Sequence, residues 1–192
     1  MNTTADAAAP ALTGARARTH RLILDTAVAQ LAKDSSASLG QIADAAGIGR
    51  TTLYRYFPER ADLLAALGED ARARFAAAHE RAALTEGSAI GAIERLCQEY
   101  VELSDLLALY FTETLGDNGI FDEDAFVQAD LRAVVERGRA DGTIDAELST
   151  EWVVSALGAF FYATWEVLSG TTASRYDVVR QLLRTVRKTL AA

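Results

Sequence analysis

Residues 41–57 read QIADAAGIGRTTLYRYF. Two short apolar patterns flank Gly47, and then come Arg50, Thr51, Thr52, Tyr54 and Arg55 with no carboxylate among them. Two short helices joined by a tight turn make a helix-turn-helix. Ala43 lies four residues before Gly47, where a larger side chain would push the helices apart. Gly47 takes the positive φ that such a turn demands. Ile42, Ile48 and Leu53 fall where the two helices face each other, which leaves the Arg and Thr residues and Tyr54 toward solvent. Arginine bonds guanine edges bidentately and a threonine methyl can touch that of thymine, while hydroxyls suit phosphate oxygens. The alternative is a plain helical hairpin that contains a glycine. In a chain with 27 acidic and 19 basic residues, the solvated face of such a hairpin would ordinarily carry an acid, and this one carries none.

The flanks extend the pattern. In RTHRLILDTAVAQLAKD, residues 18–34, Ile23, Ala27 and Leu31 form one helical stripe with Leu24 and Val28 beside it. The SSAS that follows breaks the helix, and Ser38 is a natural N-cap for the next one, whose apolar face is Leu39, Ile42, Ala43 and Ala46. Ile48, Leu53, Tyr56 and Phe57 give a third short helix its inward face, and Pro58 closes it. ERADLLAALGEDARARFAAAHERAAL, residues 59–84, is a long fourth helix. Beyond Glu86, helical segments of rising apolarity run over 89–103, 105–115, 123–142, 149–170 and 174–192.

Composition agrees with an all-α chain. Half of the 192 residues are hydrophobic, and proline occurs twice, at Pro10 and Pro58. One cysteine, Cys97, excludes a disulfide framework and any CxxC metal site and reads as a buried apolar residue. His20 and His79 lack metal-ligand spacing, so no metal and no cofactor are expected. No apolar run reaches the roughly 18 residues that span a bilayer. The start, MNTTADAAAPALTG, lacks a basic start and an apolar core, so it reads as a disordered tail rather than a secretory signal, and the protein is expected in the cytoplasm. Net charge is −8, which argues against an unspecific nucleic-acid coat. Yet residues 1–60 hold seven basic and five acidic residues, whereas the remainder holds twelve and twenty-two. That asymmetry suggests two parts with different partners.

The segment 18–70 resembles the DNA-binding domain of the TetR family of bacterial transcription regulators. The resemblance rests on ILDTAVAQL in the first helix, LGQIADAAGIGRTTLYRYFPERADLL across the second to fourth, and above all TLYRYF. It implies about nine helices, with a three-helix DNA-reading head over 17–62, a ligand-binding and dimerising body over 63–192, and a tail over 1–16. Carried over by position, Arg50, Thr51, Thr52, Tyr54, Arg55 and Tyr56 lie on the recognition helix. Tyr54 matches a tyrosine that commonly contacts the DNA backbone. Arg60 matches a phosphate-contacting basic residue at the start of the fourth helix, and Ser38 a hydroxyl at the start of the second. Gly49 stands where the family often has Ser or Thr, so the recognition helix is expected to be weakly capped. Arg16, Arg18 and Arg21 precede the apolar stripe and could reach phosphate or the minor groove as a basic arm, a solvated, unfolded tail being the alternative.

The body offers two further expectations. Trp152, Ala156, Ala159 and Ala163 line one side of segment 149–170, while Val153, Leu157, Phe160, Phe161 and Trp165 fill much of the rest. A helix apolar over most of its circumference needs two partners, one being the core and the other a second subunit. A homodimer through the last two helices is therefore expected, with Val179, Leu182, Leu183, Val186 and Leu190 as the stripe of the final one. A single larger core is the alternative. Ligand pockets are mainly apolar, and Tyr100, Tyr110, Phe111 and Trp165 are the candidates to line one. Most other body aromatics, Phe121 and Phe126 among them, read as core. Glu99, Glu102 and Glu113 would suit a cation, although a solvated acidic face is the more ordinary reading. The function expected is a repressor released from a palindromic operator by a small, mostly apolar ligand. The alternatives are a DNA-binding regulator with no small ligand, or an activator. No Ser-His-Asp set, P-loop or dinucleotide-binding glycine pattern points to an enzyme.

Overall fold

The computed structural model describes residues 14–111 and 127–192. The expected disordered segment 1–13, Glu113, Phe121 and Phe126 lie outside the described residues. Among those described, every regular element is an α-helix: α1 (Gly14–Leu31), α2 (Leu39–Ala45), α3 (Arg50–Tyr56), α4 (Arg60–Ala82), α5 (Ala89–Glu102), α6 (Ser104–Phe111), α7 (Val127–Asp141), α8 (Thr150–Gly170) and α9 (Arg175–Leu190). One expectation is corrected at the start. Gly14, Ala15 and Arg16 were assigned to the tail, but they begin α1.

Local chemistry sets the boundaries of the head. Ser38 caps α2 through a reciprocal capping box, its hydroxyl accepting from the Gln41 backbone N–H while the Gln41 side chain accepts from the Ser38 N–H at 2.8 Å. Gly47 makes the turn at φ 65°, and the Ile48 N–H donates to the Ala43 carbonyl at 3.1 Å. Gly49 caps α3 without a side-chain hydrogen bond, as its missing hydroxyl foretold. Glu59 and Asp62 then form a second reciprocal box that starts α4.

The three short head helices share one core with the body. Ile23, Ala27 and Leu31 from α1, Ile42 and Ala43 from α2, and Leu53 and Phe57 around α3 are all buried. They continue without a break into Leu63, Leu67, Ala71, Phe75 and Ala78 along α4. That helix therefore belongs to both parts. Below it, α5 packs against α4, α7 and α9, and α8 packs against α6, α7 and α9. α6 touches α1, which gives the body a second contact with the head. Close packing of α5 on α7 depends on Gly138, where a Cβ would lie 2.5 Å from Ile144 Cδ1 and 2.7 Å from Ala89 Cβ.

One expectation about the body is also corrected. No apolar run was counted long enough to span a bilayer, yet α8 is 21 residues long with a mean hydropathy of 1.2 over 18 of them. By length and composition it could cross a membrane. Ser155, Thr164 and Glu166 interrupt the run when residues are counted one by one but barely lower its mean.

Candidate nucleic-acid interface

The surface around α3 follows from its burial pattern. Leu53 is fully buried and Phe57 nearly so, which pins α3 against α1 and α2 and turns Arg50, Thr51, Tyr54 and Arg55 outward. Thr52 is half-buried. Tyr54 exposes 48% of its surface, a large apolar ring held in water beside hydroxyls and guanidinium groups. Among the described residues Arg55 has no ion-pair partner.

The face is not free of acid, however. Asp44 on α2 reaches across the turn and accepts from Arg50 Nη2 at 3.1 Å, with both side chains largely exposed. In sequence Asp44 belongs to the preceding helix, and it joins this face only through the turn. The Arg50 guanidinium also lies over the backbone of Gly40, 3.4 Å from where a Cβ would stand.

Three expected contact residues have other occupations. Tyr56 turns toward α1: its hydroxyl donates to the Arg16 carbonyl at 3.3 Å, and the Arg16 guanidinium sits 5.9 Å from its ring centroid. The His20 ring packs beside it, 6.2 Å from Tyr56 and 5.3 Å from Phe57. Burial there, reinforced by the charge of Arg21, holds His20 below its ordinary pKa, with Asp70 opposing. Arg60 donates to the carbonyls of Ser35, at 2.6 Å, and Ala37. It thereby clamps the loop between α1 and α2. Ser38 is exposed, but its hydroxyl is engaged in the capping box.

The expected basic arm is corrected in the same way. Arg16, Arg18 and Arg21 lie within α1. Arg16 and Arg18 are exposed near its start. Arg21 instead joins a four-membered ion network. It pairs with Asp25 one turn on and bidentately with Asp70 of α4, at 2.8 Å for Nη2 to Oδ2. Arg74 of α4 pairs with Asp70 at 2.9 Å and with Asp25. Arg21 with Asp25 and Asp70 with Arg74 are both i,i+4 pairs, a spacing that was readable in the sequence. What the spacing does not show is that the two pairs face each other.

The candidate ligand residues separate into two groups. Tyr110, Phe111 and Trp165 are linked through Tyr162 of α8: rings of Tyr110 and Phe111 are 5.5 Å apart, Phe111 and Tyr162 5.6 Å, and Tyr162 and Trp165 5.6 Å. Tyr100 is elsewhere, buried against Phe75 at 5.3 Å and Phe161 at 4.9 Å. Its hydroxyl lies 2.7 Å from His79 Nε2, and His79 Nδ1 lies 2.9 Å from Asp130 of α7. With Asp130 as an accepting carboxylate, Nδ1–H donates to it and Nε2 accepts the Tyr100 O–H. Burial pushes the Tyr100 hydroxyl far above its ordinary pKa, so it remains a neutral donor. His79 and Asp130 stand 51 positions apart, and no local pattern announces the pair. Glu99 is held by Arg81 at 2.7 Å and Glu102 by Arg175 at 3.4 Å, as members of a solvated, ion-paired face. Among the described residues no cluster of His, Cys, Asp and Glu could hold a metal ion.

Known proteins share this fold. A family model for bacterial regulatory proteins of the tetR family matches residues 23–67, from α1 into α4. The HTH-type transcriptional repressor LfrR of Mycolicibacterium smegmatis is 41% identical over 131 residues, 65% of this chain and 69% of LfrR. The crystal structure of the TetR-like regulator LfrR from Mycobacterium smegmatis in complex with proflavine aligns with a TM-score of 0.72 at 31% identity, covering 93% of this chain and 99% of that one. The ketosteroid transcriptional regulator KstR2 of Mycobacterium tuberculosis shares the fold, with a TM-score of 0.69 at 18% identity over 96% of this chain and 98% of its own.

The Asp44–Arg50 pair makes a direct expectation. A carboxylate on a surface that meets phosphate repels it and competes for Arg50. Asp44→Asn is expected to tighten binding to duplex DNA severalfold, in line with the ~0.2–1 kcal/mol of an exposed pair. Titration of wild type and variant against one labelled duplex at fixed salt checks this, and equal or weaker binding by the variant would count against this face as the contact surface.

Proposed function

The chain belongs to the TetR family of bacterial regulatory proteins and is a DNA-binding transcriptional regulator, not an enzyme; from that premise we propose that it is a dimeric repressor, released from a palindromic operator by a small, mostly apolar molecule. The observation that carries the DNA part is the outward face of α3. Arg50 and Arg55 read base edges in the major groove, while Thr51, Thr52 and Tyr54 meet bases and backbone around them. Ser38, Arg16 and Arg18 flank this face and meet phosphate. Arg60 and Tyr56 support it from behind by holding the loop before α2 and the start of α1. The head spans 17–62 and the body 63–192, and the protein acts in the cytoplasm, where its DNA is.

Two subunits join through α8 and α9, so that their heads reach half-sites about one DNA turn or somewhat more apart. The ligand lies among the body helices, where Tyr110, Phe111, Trp165 and Tyr100 supply aromatic surface. That LfrR was solved with proflavine supports a small-molecule effector. A cation has no support from Glu99 and Glu102, which arginines already neutralise. Coupling runs along α4, whose 23 residues rise about 1.5 Å each. A ligand that shifts its far end tilts the head. It must bind the tilted state better than the DNA-bound one, or nothing moves.

Two experiments test these parts. With duplexes recovered from a random pool, Arg50→Ala and Arg55→Ala are expected to weaken binding, at least one relaxing base preference by ~1–3 kcal/mol, whereas Tyr54→Phe weakens all sequences alike. Unchanged affinity and preference in the Arg50/Arg55 double variant would remove α3 as the reader. For any effector found by thermal-shift screening, affinity is expected to fall in the presence of operator by the same factor as the effector lowers DNA affinity, for ~1–3 kcal/mol of coupling. Equal effector affinity with and without operator excludes the release mechanism.

A further inference from the structure

One exposed flank of α8 is apolar and unusual in shape. Successive helical residues turn by about 100°, which aligns Trp152, Ala156, Ala159, Ala163 and Val167 opposite the buried Phe161. Trp152 exposes 63% of its surface and Val167 39%. Only 22% of the most apolar 18-residue window of this helix is buried, so something else must cover it. One end of the stripe is a bulky protruding ring. Its middle is small, with Ala156, Ala159 and Ala163. Its other end is hollow. Between α8 and α9 lies an open pocket of ≈ 170 Å³, lined by Phe160, Ala163, Val167, Val178, Leu182 and Thr185 among others.

The pocket is small for an effector, since ligand sites run to roughly 300–1,000 Å³. It suits one aromatic ring, because an apolar cavity of about 150 Å³ accepts benzene. A two-fold interface presents the same patch twice, so a knob needs its own hole on the same surface. Suppose two α8 helices cross antiparallel at Ala159, where the small residues permit closest approach. Residues seven before that point then face residues seven after it, and Trp152 arrives beside Glu166 and Val167. This is the mouth of the pocket.

We infer that in the homodimer Trp152 of each subunit seats in the α8–α9 pocket of the other, fixing the register of the interface and with it the spacing of the two heads. The inference rests on the dimer proposed above and adds the residue that aligns it. Truncating a buried interface tryptophan commonly costs about thirtyfold or more in dissociation constant, so Trp152→Ala is expected to shift the dimer toward monomer by that factor.

The direct test follows the indole itself. The chain has two tryptophans, so Trp165→Phe leaves Trp152 as the sole emitter. Emission and acrylamide quenching are recorded across a dilution series whose mass is followed by light scattering. The expected result is blue-shifted, protected emission in the dimer and red, quenchable emission in the monomer, with protection lost when Val167→Lys fills the pocket mouth with charge. A dimer in which Trp152 stays fully quenchable overturns the seating while leaving the dimer itself intact. A monomer at micromolar concentration overturns the reading beneath it. Protection that appears only with anionic phospholipid vesicles, and with monomeric protein, would assign the face to a membrane and also overturn the inference.

Discussion

The orientation of the DNA-reading head depends on how α1 lies on α4. Two arginines and two aspartates fix that joint: Arg21 and Asp25 on one helix, Asp70 and Arg74 on the other, each arginine contacting both carboxylates. Exposed ion pairs contribute little stability singly, but bidentate geometry and networks are the exception. Asp70 keeps only 13% of its side-chain surface in water, which strengthens the pairs it makes. Most of the binding between the helices still comes from burial of Ile23, Ala27, Leu63 and Leu67, a non-directional force. Apolar packing holds α1 against α4, and the planar guanidinium forks set the angle.

Everything further out inherits that angle. Arg60 ties the loop between α1 and α2 to the first turn of α4, and Tyr56 ties the end of α3 to the first turn of α1. The end of α3 is thus fastened to α1, and the loop before α2 to α4, the two helices that the ion network joins. From the other side, α6 touches α1 while packing on α8. The head is therefore in contact with the body by two routes, along α4 and through α6, and the proposed coupling has both available. In a two-fold assembly the same angle is repeated twice, so a small tilt becomes a change in the separation of two reading surfaces.

The legible parts of this molecule are those whose chemistry is local. A capping box needs Ser38 and Gln41 three apart, a tight turn needs Gly47, and close helices need Ala43, so each residue type reports its own backbone. The periodicity of Trp152, Ala156, Ala159 and Ala163 likewise marks one side of α8 before any fold is known, and that side is the one the chain leaves largely exposed. What stayed hidden depends on partners far away in sequence. The position of Arg60 suggests a phosphate contact, whereas its guanidinium finds two carbonyls more than twenty residues back. Arg21 reads as part of an arm because nothing in the sequence marks Gly14 as a helix start. Asp44 joins the recognition face only once the turn has folded, and His79 meets Asp130 only once α4 and α7 have packed.

The claim that the ion network sets the head's orientation is tested most directly by measuring the distance between the two heads of the proposed dimer. Lys33→Cys, in the exposed turn after α1, takes a spin label, while the buried thiol of Cys97, whose pKa burial pushes up to about 12, stays unmodified. Electron–electron resonance on the dimer should give one narrow distance distribution in the otherwise native chain. Combining the label with Asp70→Asn and Arg21→Ala should broaden it while the thermal midpoint moves little. Adding Arg74→Ala removes the remaining Arg74–Asp25 pair, and an equally narrow distribution at the same mean distance in that triple variant would contradict the account and leave apolar packing alone in control of the joint.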